Sequence, residues 1–393
     1  MSRPMPGNER GGPAGGELMD GELIGAGVLV AGRGAPVEPG WVLLDGGRVT
    51  ATGTGAPPRT PDRWAEVVVP GFVDLHCHGG GGAAFGDDPD QAAAVAAFHA
   101  AHGTTTLVAS LVTLAPEALA RSVRALTPLV ADGILAGVHL EGPWLAADRC
   151  GAHDPALLRA PDPAELAPLL GTGAIAMVTV APELPGALDL LTEIAGAGAL
   201  AAVGHTTAGV DLTRRALDAG ARVGTHLFNA MGGLHHRDPG PAAALLADPR
   251  ATVELITDRV HVHPALWEVV ARAAPGRVAA VTDAMSAAGM PDGGYRLGGL
   301  DVDVADGVAR LGDGTIAGST ATADVLFRNL VAESPLPRAE ALARAAEWTS
   351  TTPARLLGRD DLGHLHPGAR ADLVLLDAQL QVTDVLRRGG PAS

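Results

Sequence analysis

A chain of 393 residues, 47% hydrophobic but only 3% aromatic, can bury one large core of Ala, Val and Leu beside a smaller second domain. Its net charge of -16 excludes the clustered cations that a nucleic-acid surface or an anionic membrane requires. All 28 residues counted as Lys plus Arg are arginine, which excludes a Schiff base, a P-loop lysine and a carbamylated lysine bridging two metals.

In chain order, residues 1–17 have no apolar core and read as a disordered tail rather than a signal peptide. Residues 18–66, with "GVLVAGRGAPVEPGWVLLDGGRVTATG", read as short strands with glycine turns. From about residue 66 onward, eight apolar runs alternate with Ala/Leu-rich helical stretches. They are "EVVVPGFVDLHCH", "TTTLVASLVT", "ILAGVHLEG", "AIAMVTVAPE", "LAAVGHT", "RVGTHLFNA", "TVELITD" and "RVAAVTDAM". Continuous apolar strands separated by helices predict parallel strands covered on both sides, and eight of them predict a closed (β/α)₈ TIM-like barrel over 67–358.

Residues 91–116 carry no formal charge, but His99, His102, Gly103 and the threonines after it predict a helix and a buried strand rather than a membrane span. A glycine- and aspartate-rich stretch at 292–314 predicts hairpins inserted after the eighth strand. The last residues, 359–393, with "GARADLVLLDAQLQVTDVLRRGG", return to short strands, so a small β-sandwich domain is expected from both termini. With only Cys77 and Cys150, no disulfide scaffold is expected, which points to a reducing, cytoplasmic setting.

The polar residues of the eight runs lie at their ends, which in such a barrel converge on one mouth. In "PGFVDLHCHGG", Asp74, His76 and His78 share one face of a strand and Cys77 the other, so the two imidazoles can grip one divalent ion. The alternative is a pair of hydrogen-bonded core histidines. Glu141 in "GVHLEGPW" ends the third run, where a buried carboxylate needs a cation or an arginine beside it. His139, two residues earlier, is either a support for that site or a core histidine.

His205 in "AAVGHTTA" and His226 in "VGTHLFNAM" complete, with Glu141, a two-histidine, one-carboxylate set that leaves a position open for water. Asp283 in "VAAVTDAMS" is either a helix cap or the carboxylate that takes a proton from attacking water and returns it to the leaving group. The second role is favoured.

These residues resemble the amidohydrolase superfamily from about Gly27 through the closing "GARADLVLLD". "HLEGPW", "GAHDP", "GHTTA", "THLFNAM", "TDAM" and "AGST" in this order look like its N-acetylglucosamine-6-phosphate deacetylase family. The resemblance implies that Glu141, His205 and His226 hold zinc or iron, that Asp283 is the general base and then acid, and that His153 hydrogen-bonds the acetamide carbonyl. It also implies that Arg237 and His261 bind the sugar phosphate, with Asn229, Ala230 and Ser319 lining the site. From the residues alone, His235, His236 and His263 are equal candidates for the phosphate.

The family keeps or replaces the first histidine pair, and this chain keeps it, so His76 and His78 are candidate ligands of a second ion sharing Glu141. The resemblance further implies a homodimer and a small-molecule amino-sugar phosphate as the partner. A different N-acyl sugar phosphate or an N-acyl amino acid is the alternative substrate.

Overall fold

The computed structural model describes residues 20–392, so the expected tail at 1–17 lies outside the described residues. Eight strands form one parallel sheet in sequence order: β1 (Phe72–Cys77), β2 (Thr104–Leu111), β3 (Gly137–Glu141), β4 (Ile175–Val180), β5 (Leu200–Val203), β6 (Val223–Gly224), β7 (Thr252–Leu255) and β8 (Val278–Ala280). Each is followed by a helix, the first being α1 (Pro89–Ala101). These are the eight apolar runs of the sequence, and the barrel they predict is the one observed.

Local signals explain the first repeat. Asp88 accepts the N–H groups of Asp90 and Gln91 and Pro89 occupies the first turn, so α1 starts there. Gly103, at φ +91°, turns the chain into β2, and a Cβ there would lie 2.7 Å from the Phe72 ring. The uncharged stretch at 91–116 is thus a helix and a buried strand, and among the described residues no helix is long and apolar enough to cross a membrane.

The seam between β8 and β1 closes beyond the end of β8. The Asp283 N–H donates to the His76 carbonyl at 2.8 Å and the His78 N–H to the Ala284 carbonyl at 2.7 Å. Below them the Asp74 carboxylate accepts the Thr282 hydroxyl at 2.5 Å and its N–H at 3.2 Å. Asp74 is therefore held at the seam, away from the metal candidates it shares a strand with. Burial pushes its carboxyl up to about 6.

Both termini enter one mixed sheet of seven strands. Arg63–Pro70 lies at its middle, parallel to Glu22–Leu29 and antiparallel to Leu373–Leu376. This strand runs past residue 66, where the small domain was expected to end. The expected sandwich is realised as one bent sheet. The Val49 N–H reaches the Ala369 carbonyl and the Ala371 N–H reaches the Gly47 carbonyl, both at 2.9 Å, which wraps the sheet around Ile24, Val42, Leu44, Val68 and Leu373. Between β8 and the helix Ala323–Ala332, the strands Gly293–Leu297, Leu300–Ala305 and Val308–Arg310 form the antiparallel insertion expected at 292–314.

Candidate metal centre

The barrel strands stop just short of the residues that matter. His205 and His226 each follow the last residue of β5 and β6 by two positions, and Asp283 follows β8 by three. All three have positive φ, at 47°, 27° and 48°. Non-glycine residues avoid this region, and such strain gathers where side chains must be aimed. Here the turn swings three side chains from the strand ends into the mouth.

Glu141 sits at the centre. Its Oε1 lies 3.1 Å from His205 Nε2 and 2.9 Å from His226 Nε2, and these two nitrogens are 3.0 Å apart. Its Oε2 lies 3.1 Å from His78 Nε2 and 3.2 Å from His153 Nε2. A second set adjoins it: His76 Nε2 and His78 Nε2 are 3.2 Å apart, and Asp283 Oδ1 is 3.2 Å from His78 Nε2. Glu141, His205 and His226, and separately His76, His78 and Asp283, are buried groups whose ligand atoms could hold an ion.

Hydrogen bonds on the far side of each ring decide what its near side offers. His205 Nδ1 meets the Arg149 carbonyl at 2.8 Å, His78 Nδ1 the Ser110 carbonyl at 3.1 Å, and His76 Nδ1 the Glu254 carboxylate at 3.1 Å. Each partner only accepts, so each Nδ1 carries hydrogen and each neutral ring turns a bare Nε2 toward the carboxylates. Lone pairs facing carboxylate oxygens at about 3 Å repel unless a cation lies between them, and outer acceptors of this kind accompany metal-bound histidines. The donor set fits a divalent ion.

His153 is the opposite case. Its Nδ1 accepts the Thr113 backbone N–H at 3.2 Å, so its hydrogen is on Nε2, the nitrogen that faces Glu141. One ring at the mouth is a donor beside three acceptors, and the fifth, His226, has no hydrogen-bond partner at Nδ1 to fix its tautomer.

The electrostatics agree. Burial pushes the Glu141 carboxyl up, but His76 and the other imidazoles overcome this and hold it well below its usual range. Burial likewise raises Asp283, and His76 and His78 pull it below the usual carboxylate range. Burial opposes charge on His78, yet Asp283 and Glu141 raise it to about 9, whereas burial drives His205 down to about 4. The carboxylates demand a positive charge at His78, which a proton or a metal ion can supply.

His139 is completely buried beneath this set, with its ring 4.5 Å from that of His76, and bonds Ser110 Oγ at 3.0 Å and Thr179 Oγ1 at 2.8 Å. Burial, and then His76, keep it neutral. It is a floor residue. Cys77 turns from the mouth toward α1, its Sγ 3.2 Å from His99 Nε2.

A cavity of about 330 Å³ opens over the centre and is lined by Glu141, His153, His205, His226, Asp283, Asn229, Ala230 and His261 among others. His261 is held through Nδ1 by Asp258 at 2.7 Å. Two expected site residues lie elsewhere. Arg237 is exposed on a loop and does not line the cavity of its own chain, and neither do His235, His236 and His263. Ser319 is buried with its hydroxyl on the Thr282 carbonyl at 2.5 Å and its N–H on the Asp283 carbonyl at 2.7 Å, so it braces the turn that carries Asp283. Glycine 318 lines the cavity in its place.

Other participants went unread in the sequence. Thr113 fixes the His153 tautomer, and Leu297 from the insertion and Ile316 just after it wall the cavity. Glu254 holds His76. Its signal was available as a carboxylate inside the apolar run "TVELITD", four residues before the Asp258 that ends it.

Comparisons with known proteins bear on this centre. The amidohydrolase family model matches residues 67–389. An N-acetylgalactosamine-6-phosphate deacetylase of Escherichia coli O157:H7 is 39% identical over 91% of this chain and 97% of its own. An N-acetylglucosamine-6-phosphate deacetylase of Danio rerio is 36% identical over 82% and 84%. Among solved structures, a mutant N-acetyl-D-glucosamine-6-phosphate deacetylase from Mycobacterium smegmatis, in complex with N-acetyl-D-glucosamine-6-phosphate, superposes with a TM-score of 0.92. It is 51% identical and covers 94% of this chain and 99% of its own.

Proposed function

The chain belongs to the amidohydrolase family, whose members are generally dependent on divalent metal, and we propose that it hydrolyses N-acetyl-D-glucosamine 6-phosphate to D-glucosamine 6-phosphate and acetate. The observation that carries this reading is the division of tautomers at the mouth. Bare Nε2 atoms of His76, His78 and His205 face the carboxylates, while His153 presents an N–H. That is the equipment for hydrolysing an amide at its carbonyl carbon, and the deacetylase relatives point to the substrate.

Glu141, His205 and His226 would hold the catalytic ion, zinc or iron, with His76, His78 and Asp283 offering a second position. Such an ion supplies Lewis acidity to the amide carbonyl and acidity to the attacking water. Asp283 takes the proton from that water and passes it to the nitrogen as the carbon–nitrogen bond breaks, so acetate and a free amine leave. His153 Nε2–H donates to the carbonyl oxygen as negative charge develops there. The Thr113 N–H keeps that donor in place throughout.

His261 and the backbone at Asn229 and Ala230 receive the phosphorylated sugar at the cavity wall. Arg237, exposed on its own chain, would meet the phosphate from a second copy in a homodimer, where a planar guanidinium suits the oxygens. The setting we propose is the cytoplasm.

The test is acetate release from N-acetylglucosamine 6-phosphate, its galactosamine epimer and unphosphorylated N-acetylglucosamine, with zinc or iron and a chelator control. Chelator-sensitive release from the phosphorylated glucosamine but not from the unphosphorylated sugar is expected. Faster release from the epimer would instead assign the reaction of the Escherichia coli relative, the second reading that 39% identity favours. No release from any of the three would move the substrate to another N-acyl compound.

A further inference from the structure

Glu254 lies on β7 with no exposed surface. Its Oε2 accepts from two directions: Nδ1–H of His76 at 3.1 Å and the backbone N–H of His226 at 3.1 Å. It therefore touches one ligand of each candidate ion position. His226 is also where the chain leaves β6 at φ 27°, so the bond to Glu254 pins a strained turn as well as a ring. The other oxygen, Oε1, is buried without a hydrogen-bond partner.

A wholly buried carboxylate is costly unless positive charge lies near it. Among the described residues, the ion pairs of Glu141, Asp283 and Glu254 are all with histidines, and none is with an arginine. When the rings are neutral, as metal ligands are, these three carboxylates outweigh one divalent ion, so the remaining negative charge must be met at the His76/His78 position by protons or by a cation. A second divalent ion removes the deficit. Glu254 is the carboxylate that binds no ion itself and acts on one only through His76 and His226.

We propose that Glu254 is the positioning residue that couples the two ion positions, and that occupancy of the His76/His78/Asp283 position depends on its charge. An acceptor behind a metal-bound imidazole fixes the ring and makes the facing nitrogen a better ligand, typically by 10- to 100-fold in metal affinity. Glu254 does this for His76, whereas His226 receives from it only a backbone bond. The second ion is therefore the more sensitive to its loss. This inference rests on the reading of the centre as a metal site.

The experiment titrates zinc, and in parallel cobalt for its visible absorption, into metal-stripped wild-type protein and Glu254→Gln. Bound metal is counted after desalting. Glutamine keeps a carbonyl acceptor of the same length for His76 and the His226 N–H, removes the charge and places an amide –NH2 where the unpartnered Oε1 lies.

The wild type is expected to bind two ions. In Glu254→Gln the second ion should weaken about 10- to 100-fold while the first changes by less than about threefold, with the cobalt spectrum of the first unaltered. Equal affinities in wild type and variant, or equal loss of both ions, would overturn the role of Glu254. A wild type that binds only one ion would overturn the two-position reading beneath it, whatever the acetate assay gives. Should the glutamine variant not fold, Glu254→Asp, which keeps the charge but draws it back from His76, tests the positioning instead: a loss selective for the second ion supports the role, and equal loss of both ions or none overturns it.

Discussion

The two ligand sets at the barrel mouth differ in how they are built. His76 and His78 come from one strand, and Asp283 joins them across the seam through the backbone bond from its N–H to the His76 carbonyl. Glu141, His205 and His226 come from three strands, and each of the histidines needs a left-handed backbone turn to arrive. A set carried on one strand is fixed by local geometry. A set gathered from three strands exists only when the barrel has closed.

Glu141 belongs to both sets, through Oε1 to His205 and His226 and through Oε2 to His78. Glu141→Gln should therefore erase the distinction between them: bound metal falls below one ion per chain, and acetate release drops by about 10⁴-fold or more, to the assay floor. Retention of one tightly held ion in that variant would mean that the sets are independent. Asp283→Asn should break the proton route and leave the Glu141/His205/His226 ion in place, lowering kcat by about 10²- to 10⁴-fold with that ion still counted.

His153→Gln removes the ring donor that Thr113 aims into the mouth. It is expected to cost about 10²- to 10³-fold in kcat with both metal affinities near wild type, a split that a ligand variant cannot produce. His76→Asn should lower kcat by only about 10- to 100-fold, because it disturbs the neighbouring position rather than the catalytic one. If it proved as damaging as Glu141→Gln, the assignment of the catalytic ion to the three-strand set would be wrong.

The smallest effect is expected beneath the mouth. Thr179 Oγ1 links His139 to Thr225 at 2.8 and 2.9 Å. Thr179→Val leaves both without that partner, which should cost about 1 to 3 kcal/mol of stability in a denaturant titration while kcat changes by less than about threefold.

Much of this molecule could be read from its residues, and the limits of the reading follow from range. Eight apolar runs, most with polar residues at or near their ends, pointed to the barrel and its mouth because periodicity and strand ends are local properties. His76 and His78 were legible for the same reason. Arg237 and Ser319 do not line the cavity of their own chain, because motif order groups residues into one site without saying which side chains reach it. Ser319 spends its hydroxyl on the Thr282 carbonyl, and Arg237 stands outside the cavity of its own chain. The insertion at 292–314 was expected as hairpins, but nothing in it announced that Leu297 would wall the cavity.

By itself the sequence determined the number and order of the strands, the chemistry available at their ends and the absence of any lysine route, all of which depend on neighbouring residues or on composition. Only the tertiary structure decided which ring nitrogens of His76, His78, His153 and His205 are tied to outer partners, that Asp74 takes the Thr282 hydroxyl and N–H at the seam, and that Glu254 stands behind both His76 and His226. Each of those facts depends on a hydrogen bond between residues far apart in the chain, 28 positions for Glu254 with His226, 178 for Glu254 with His76, and 208 for Asp74 with Thr282. Such a bond has no counterpart in local pattern, because it forms only after the strands that carry its two ends are side by side.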